Sequence, residues 1–181
     1  MKTRDLAYIA LFAAITAALG LAPPVPVPVI PVPITAQTLG VMLAGSILGA
    51  RRGGLSQLTF VGLVAAGLPL LAGGRGGLGV LSGPSAGFVL GFPVGAFVVG
   101  WLTERMWAGY DLKRALAATI GGGVLAIYAI GIPFLALRGG LSLAEATVGS
   151  LVFLPGDLLK AAIAAGAAVT VRRAYPVAQP G

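Results

Sequence analysis

The run Leu151-Val152-Phe153-Leu154-Pro155-Gly156-Asp157-Leu158-Leu159-Lys160-Ala161-Ala162-Ile163-Ala164-Ala165-Gly166-Ala167-Ala168-Val169-Thr170-Val171 breaks an otherwise apolar stretch with one carboxylate and one ammonium. About twenty apolar residues in a helix cross the ~30 Å hydrocarbon core of a bilayer, so the run predicts a membrane-spanning helix over 151–171. Three-residue spacing puts Asp157 and Lys160 on one face of it. Counting back from Arg172 at about 1.5 Å per residue, Lys160 lies ~18 Å in, in the outer half of the core. An unpaired charge there costs about 2.5–3.5 kcal/mol on insertion scales. Such a pair fixes helix packing, relays a proton, or jointly grips a polar ligand.

The rest of the chain has the same character. Of 181 residues, 57% are apolar and 9% charged, and the mean hydropathy is +0.99, well outside the range of a soluble domain. The 29 glycines and 13 prolines are interleaved with Leu, Val, Ile and Ala, and small residues let helices approach closely in lipid. Cysteine and histidine are absent, which excludes disulfides, Cys/His metal sites, thiol nucleophiles and the commonest general base. No cofactor is implied.

Working back towards the N-terminus, apolar runs predict further helices over 115–137, 88–106, 54–71, 35–50 and 6–21. The fold class is therefore all-α, a polytopic membrane protein of about six transmembrane helices, forming a single transmembrane domain over 1–181. Lys2, Arg4 and Asp5 precede the first run as in a signal peptide, but no small-residue cleavage site leads into a polar chain, so it reads as a retained helix. Ala22-Pro23-Pro24-Val25-Pro26-Val27-Pro28-Val29-Ile30-Pro31-Val32-Pro33 cannot be helical, because alternate prolines delete backbone donors. Its unpaired carbonyls keep it away from lipid, at the interface or against a protein cavity. Arg51-Arg52-Gly53 reads as a tight turn, and the Gly-rich segment 72–87 as an irregular loop of the kind that is often functional. Ser142-Leu143-Ala144-Glu145 fits a capping box, so a short helical segment precedes a break at Pro155-Gly156.

A six-helix weave puts both termini, the 51–53 turn and the 104–114 turn on one side. Nine of the twelve basic residues fall there: Lys2, Arg4, Arg51, Arg52, Arg105, Lys113, Arg114, Arg172 and Arg173. The positive-inside rule makes that side cytoplasmic, N-in and C-in. The net charge of +7 thus reads as topology anchors rather than nucleic-acid binding.

Further candidates cluster at the outer end. Arg75 sits among glycines that permit close backbone approach, and its planar fork suits a carboxylate. Gln37, Ser82 and Ser85 offer neutral hydrogen-bonding groups at the same height. On the first helix Ala10, Ala14 and Ala18, with Ala13 and Ala17 beside them, form a smooth stripe for another helix, in this chain or a partner. None of the three lysines follows a glycine, so no Walker-type phosphate loop exists and the chain is not its own ATPase. A binding subunit energised by partners is the leading reading. A stand-alone secondary transporter with Asp157 as proton carrier is the alternative. An intramembrane enzyme is disfavoured, since neither a Ser-His pair nor a carboxylate dyad is available.

The Pro33-Ile34-Thr35-Ala36-Gln37-Thr38-Leu39 run, the loop ending in Gly83-Pro84-Ser85 and the Pro155-Gly156-Asp157-Leu158-Leu159-Lys160 run, in six helices over the whole chain, resemble the substrate-binding S components of energy-coupling factor (ECF) transporters, in particular the biotin-binding BioY family. The resemblance implies a multi-pass subunit of a bacterial or archaeal cell membrane whose outer half encloses biotin, under lids formed by the loops between helices one and two and between helices three and four. It implies partnership with a transmembrane coupling subunit and a pair of ATPase subunits, with no catalysis of its own. The family's aspartate and lysine fall on Asp157 and Lys160, and its helix-one docking alanines on Ala10, Ala14 and Ala18. Where the family often reads Gly-Pro-Thr-Gly-Gly-Tyr this chain has Gly83-Pro84-Ser85-Ala86-Gly87-Phe88, so the Ser85 hydroxyl survives and the tyrosine hydroxyl is lost. Biotin's chemistry suits these residues. Asp157 can accept the ureido N–H groups while Lys160 meets the ureido oxygen and Arg75 the tail carboxylate, or the opposite orientation puts Lys160 on the carboxylate. Tyr128 and Phe88 are candidate wall residues.

Overall fold

The computed structural model describes residues 2–175. Six helical rods follow in order: α1 Thr3–Leu19, α2 Gln37–Leu48, α3 Ala50–Ala65, α4 Ala86–Arg105, α5 Leu112–Gly139 and α6 Leu143–Ala174. Among the described residues, pairing outside helices is limited to two isolated bridges, Val25 with Ile34 and Leu71 with Arg75. By length and apolarity α4, α5 and α6 can each cross a membrane. Phe60, Met42, Ile127 and Leu135 are fully buried between the rods, while Leu11, Leu58, Phe97, Leu125 and Leu137 point outward, as lipid-facing side chains do.

The predicted helices are present, with corrections at their ends. Arg51-Arg52-Gly53 is not a turn but the first turn of α3. The break falls at Gly49, whose φ of +83° is open to glycine and costly for other residues. The Ala50 N–H at the start of α3 is satisfied by Glu104 Oε1 at 2.8 Å, and arginine is itself a good helix former. α3 ends at Ala65 rather than Leu71, because Gly67 and Pro69 follow. α5 is continuous over 28 residues but widens to a π-turn at Gly121–Ala126, where Gly122 lies against Val99 and Gly123 against Met42.

The expected break at Pro155-Gly156 is also absent. α6 runs through from Leu143, with one tighter 3₁₀ turn at Leu151–Phe153. Pro155 sits just past that turn, in the first turn of the long segment, where a missing N–H costs little. The predicted capping box is present: Ser142 Oγ accepts the Glu145 N–H at 3.2 Å, and Glu145 Oε2 accepts the Ser142 N–H at 2.8 Å.

The proline run forms a strap across one end of the bundle. Val25 and Ile34 exchange backbone hydrogen bonds of 3.0 and 2.9 Å at its base, and Ile30 and Val32 are buried from it, with Ile30 against Gly149 of α6. The charged connections gather at the opposite end. Arg52 pairs with Asp5 at 3.5 Å, and Arg172 donates to the Trp107 and Tyr110 carbonyls at 2.6 and 2.7 Å. The start of α1, the 49–52 turn, the α4–α5 connection and the end of α6 therefore share one face of the bundle.

Candidate ligand-binding site

Under the strap lies a cavity with about 590 Å³ of empty space including its mouth. Thr35 reaches it from the end of the strap, Thr38 from the first turn of α2, Arg75 and Ser85 from the α3–α4 connection, Phe88 and Phe92 from α4, Tyr128 from α5, and Phe153, Asp157 and Lys160 from α6. Apolar walls with a few convergent polar groups are what a small-molecule site requires.

Asp157 is only 3% exposed, and its carboxylate is the hub. Oδ1 accepts from Lys160 Nζ at 2.8 Å and from Thr38 Oγ1 at 3.1 Å, and Oδ2 accepts from the Tyr128 hydroxyl at 2.8 Å. Lys160 Nζ also donates to the Thr35 carbonyl at 2.7 Å and to Thr38 Oγ1 at 2.9 Å. Three acceptors use the three ammonium protons, whereas a carboxylate offers about four acceptor positions and three are filled here. The pair is thus stabilised by three separate elements and still presents acceptor capacity to the cavity. Desolvating two charges is repaid only with such geometry and extra hydrogen bonds.

Arg75 differs. Its Nε donates to the Ala72 carbonyl at 3.2 Å, and the remaining guanidinium N–H groups have no partner among the described residues. Gly73 and Gly74, with φ of +80° and +68°, turn the chain so that Leu71 and Arg75 pair through backbone hydrogen bonds of 3.0 and 3.2 Å. Ser85 lines the cavity, and its hydroxyl has no hydrogen-bond partner among the described residues. Phe88 stands edge-on to Tyr128, with centroids 6.1 Å apart, and to Phe153 at 5.8 Å. Ser82 is exposed and spends its hydroxyl on the Leu78 carbonyl at 3.3 Å, outside the cavity wall. Gln37 borders the cavity, but its amide is used within the protein. Nε2 donates to the Thr16 carbonyl at 3.2 Å and the Leu70 carbonyl at 3.0 Å, and Oε1 accepts the Ala72 N–H at 3.1 Å.

The BioY family model matches residues 1–177. The chain belongs to the BioY family. A relative described as biotin transporter BioY, from Rhizobium etli, is 51% identical over 98% of this chain and 97% of its own length. A probable biotin transporter BioY from Bacillus subtilis is 45% identical over 96% and 93%. The crystal structure of the S-component for biotin from an ECF-type ABC transporter superposes with a TM-score of 0.91 at 30% identity, covering 96% of this chain and 95% of that one. The chain is accordingly a multi-pass membrane protein with the S-component fold.

Within that fold the alanine stripe divides. Ala10, Ala14 and Ala18 lie exposed on α1, whereas Ala13 is buried and Ala17 packs against the core. Thr38, which touches both charges, was not singled out from the sequence. The available signal was a hydroxyl in the first turn of an apolar helix just after the proline run, where a polar side chain needs a partner. Phe92 and Phe153 were missed because an apolar residue in an apolar helix carries no mark of which face meets a cavity.

Proposed function

We propose that this chain is the membrane-embedded biotin-binding subunit of an ECF-type importer, a single domain of six spans with both termini in the cytoplasm. The observation that carries this reading is the convergence of Asp157, Lys160, Thr38 and Tyr128 on one wall of an apolar cavity, with Arg75, anchored through Nε alone, also on its lining. The relatives' description as biotin transporters and the likeness to a biotin S-component support it. The hydrogen-bond count favours one of the two ligand orientations. Lys160 has no proton to spare for a carboxylate, while Arg75 does, so the tail carboxylate lies on Arg75 and a ureido N–H on the remaining acceptor position of Asp157, with Phe88 and Tyr128 walling the rings. Ser85 adds a free hydroxyl, and Gln37 shapes the wall.

The basic residues at the strap-distant end set the N-in, C-in orientation. The outward alanines Ala10, Ala14 and Ala18 dock the coupling subunit, which couples import to a pair of ATPases, because this sequence has no phosphate loop of its own. Titration of detergent-purified protein with biotin tests the site: saturable binding by the wild type, lost in Asp157→Asn and Lys160→Met, is expected. A well-folded wild type without saturable binding would sink the substrate assignment. Uptake by vesicles carrying this chain alone, abolished by a protonophore, would replace the partnered importer with a proton-coupled transporter.

A further inference from the structure

The Gln37 side chain joins three segments of chain: its own helix, the end of α1 and the 70–72 stretch. It is 2% exposed, and its Nε2 bonds the Thr16 carbonyl, one of the last four of α1 and so without an i+4 partner in that helix. The same nitrogen holds the Leu70 carbonyl, and Oε1 holds the Ala72 N–H. Gly20 is part of the arrangement, since a Cβ there would sit 2.5 Å from the Leu70 oxygen and 2.9 Å from Gln37 Nε2. From Ala72 the chain turns through Gly73 and Gly74, and Arg75 Nε returns to the Ala72 carbonyl. The Arg75 guanidinium is thus attached to the body of the protein through Ala72, whose carbonyl it holds and whose N–H is held by Gln37.

We infer that Gln37 is a positioning residue that sets selectivity for an anionic ligand tail, by holding the 70–75 loop where Arg75 faces the cavity. It does so without contacting the tail itself. This rests on the proposed orientation, with the carboxylate on Arg75. A guanidinium on a glycine-rich loop loses ordering entropy when it grips a carboxylate, and anchoring the loop in advance removes part of that cost. Losing the anchor therefore weakens binding of a charged tail and leaves a neutral tail nearly unaffected.

The test compares biotin with biotinamide, its neutral-tail analogue, on wild type, Gln37→Met, Arg75→Gln and the double variant. Backbone hydrogen exchange at Ala72 and Arg75 is measured on the ligand-free proteins. Gln37→Asn, one methylene too short to span all three partners, serves if Gln37→Met folds poorly. Expected are a loss of about tenfold in biotin affinity, little change for biotinamide, faster exchange at Ala72, and no further biotin loss when Gln37→Met is added to Arg75→Gln. Equal losses for the two ligands, or full additivity in the double variant, would overturn the inference, as would unchanged exchange at Ala72. An Arg75→Gln protein with undiminished biotin affinity would overturn it while leaving the Asp157 and Lys160 reading intact. Should the wild type bind neither ligand, the functional reading fails, and unchanged exchange in the ligand-free protein then shows separately that Gln37 does not hold the loop.

Discussion

The two ends of the bundle use charge differently. At the strap-distant end the bonded groups tie one part of the chain to another: Asp5 to Arg52, Glu104 to the start of α3, and Arg172 to two carbonyls while it stacks 4.5 Å from the Trp107 ring. At the strap end Asp157, Lys160 and Arg75 line a cavity, and both the carboxylate and the guanidinium retain bonding capacity. Polar groups whose partners are all within the protein serve packing, and those left incomplete at a cavity invite a ligand. The comparison also separates arginines that look alike in sequence: Arg172 is anchored through its fork, Arg75 only through Nε.

The largest effect that would break this contrast belongs to Asp157→Asn. Truncating one partner of a buried hydrogen-bonded charge pair typically costs 2–5 kcal/mol or more, at least a roughly 30-fold loss of biotin affinity. Calorimetric titration measures it, and an unchanged affinity would put the strap end in the same class as the other. Arg172→Gln should do the converse. Hydrogen bonds to charged groups contribute about 1.5–3 kcal/mol each, so its loss lowers the unfolding temperature by several degrees while biotin affinity stays within twofold. A drop in affinity would mean that the two ends are coupled.

Gly131→Ala sharpens the picture of the cavity wall. Its added methyl would overlap the Phe88 ring, and overpacking costs about 1–3 kcal/mol. Either the ring moves into the cavity and weakens biotin, or the helices part and stability falls. Titration beside thermal unfolding distinguishes these, and no change in either would show that Phe88 has room to spare.

The smallest effect is at Asp111, which caps α5. The Arg114 N–H donated to it at 2.9 Å holds its carboxyl below the usual 3.8. Its contribution to stability is therefore complete above that value and fades as pH falls through the lowered one. Asp111→Asn, which keeps the cap without the titration, should show less loss of stability as pH falls below the ordinary value of 3.8. Identical acid profiles would remove the carboxyl from the stability balance of that end.

Much of this molecule is legible in one dimension. The apolar runs identify helices because lipid offers no partner to backbone groups, and the grouping of arginines reports which turns share a side. The Asp157 and Lys160 spacing marks a site because charge inside an apolar run is costly. Element ends were less legible. Arg51-Arg52-Gly53 looks like a turn until Glu104, far along the chain, is seen capping the helix that contains it.

What only the tertiary structure decided was the division of labour among polar residues. Gln37, Thr38 and Ser85 are alike in sequence as neutral hydrogen-bonding groups near the same end. One clamps a loop, one bridges the charges, and one is free towards the cavity. Composition and periodicity determine that a side chain has donors and acceptors to satisfy. Which groups satisfy them depends on segments brought together by packing, and that information is absent from any local stretch of chain.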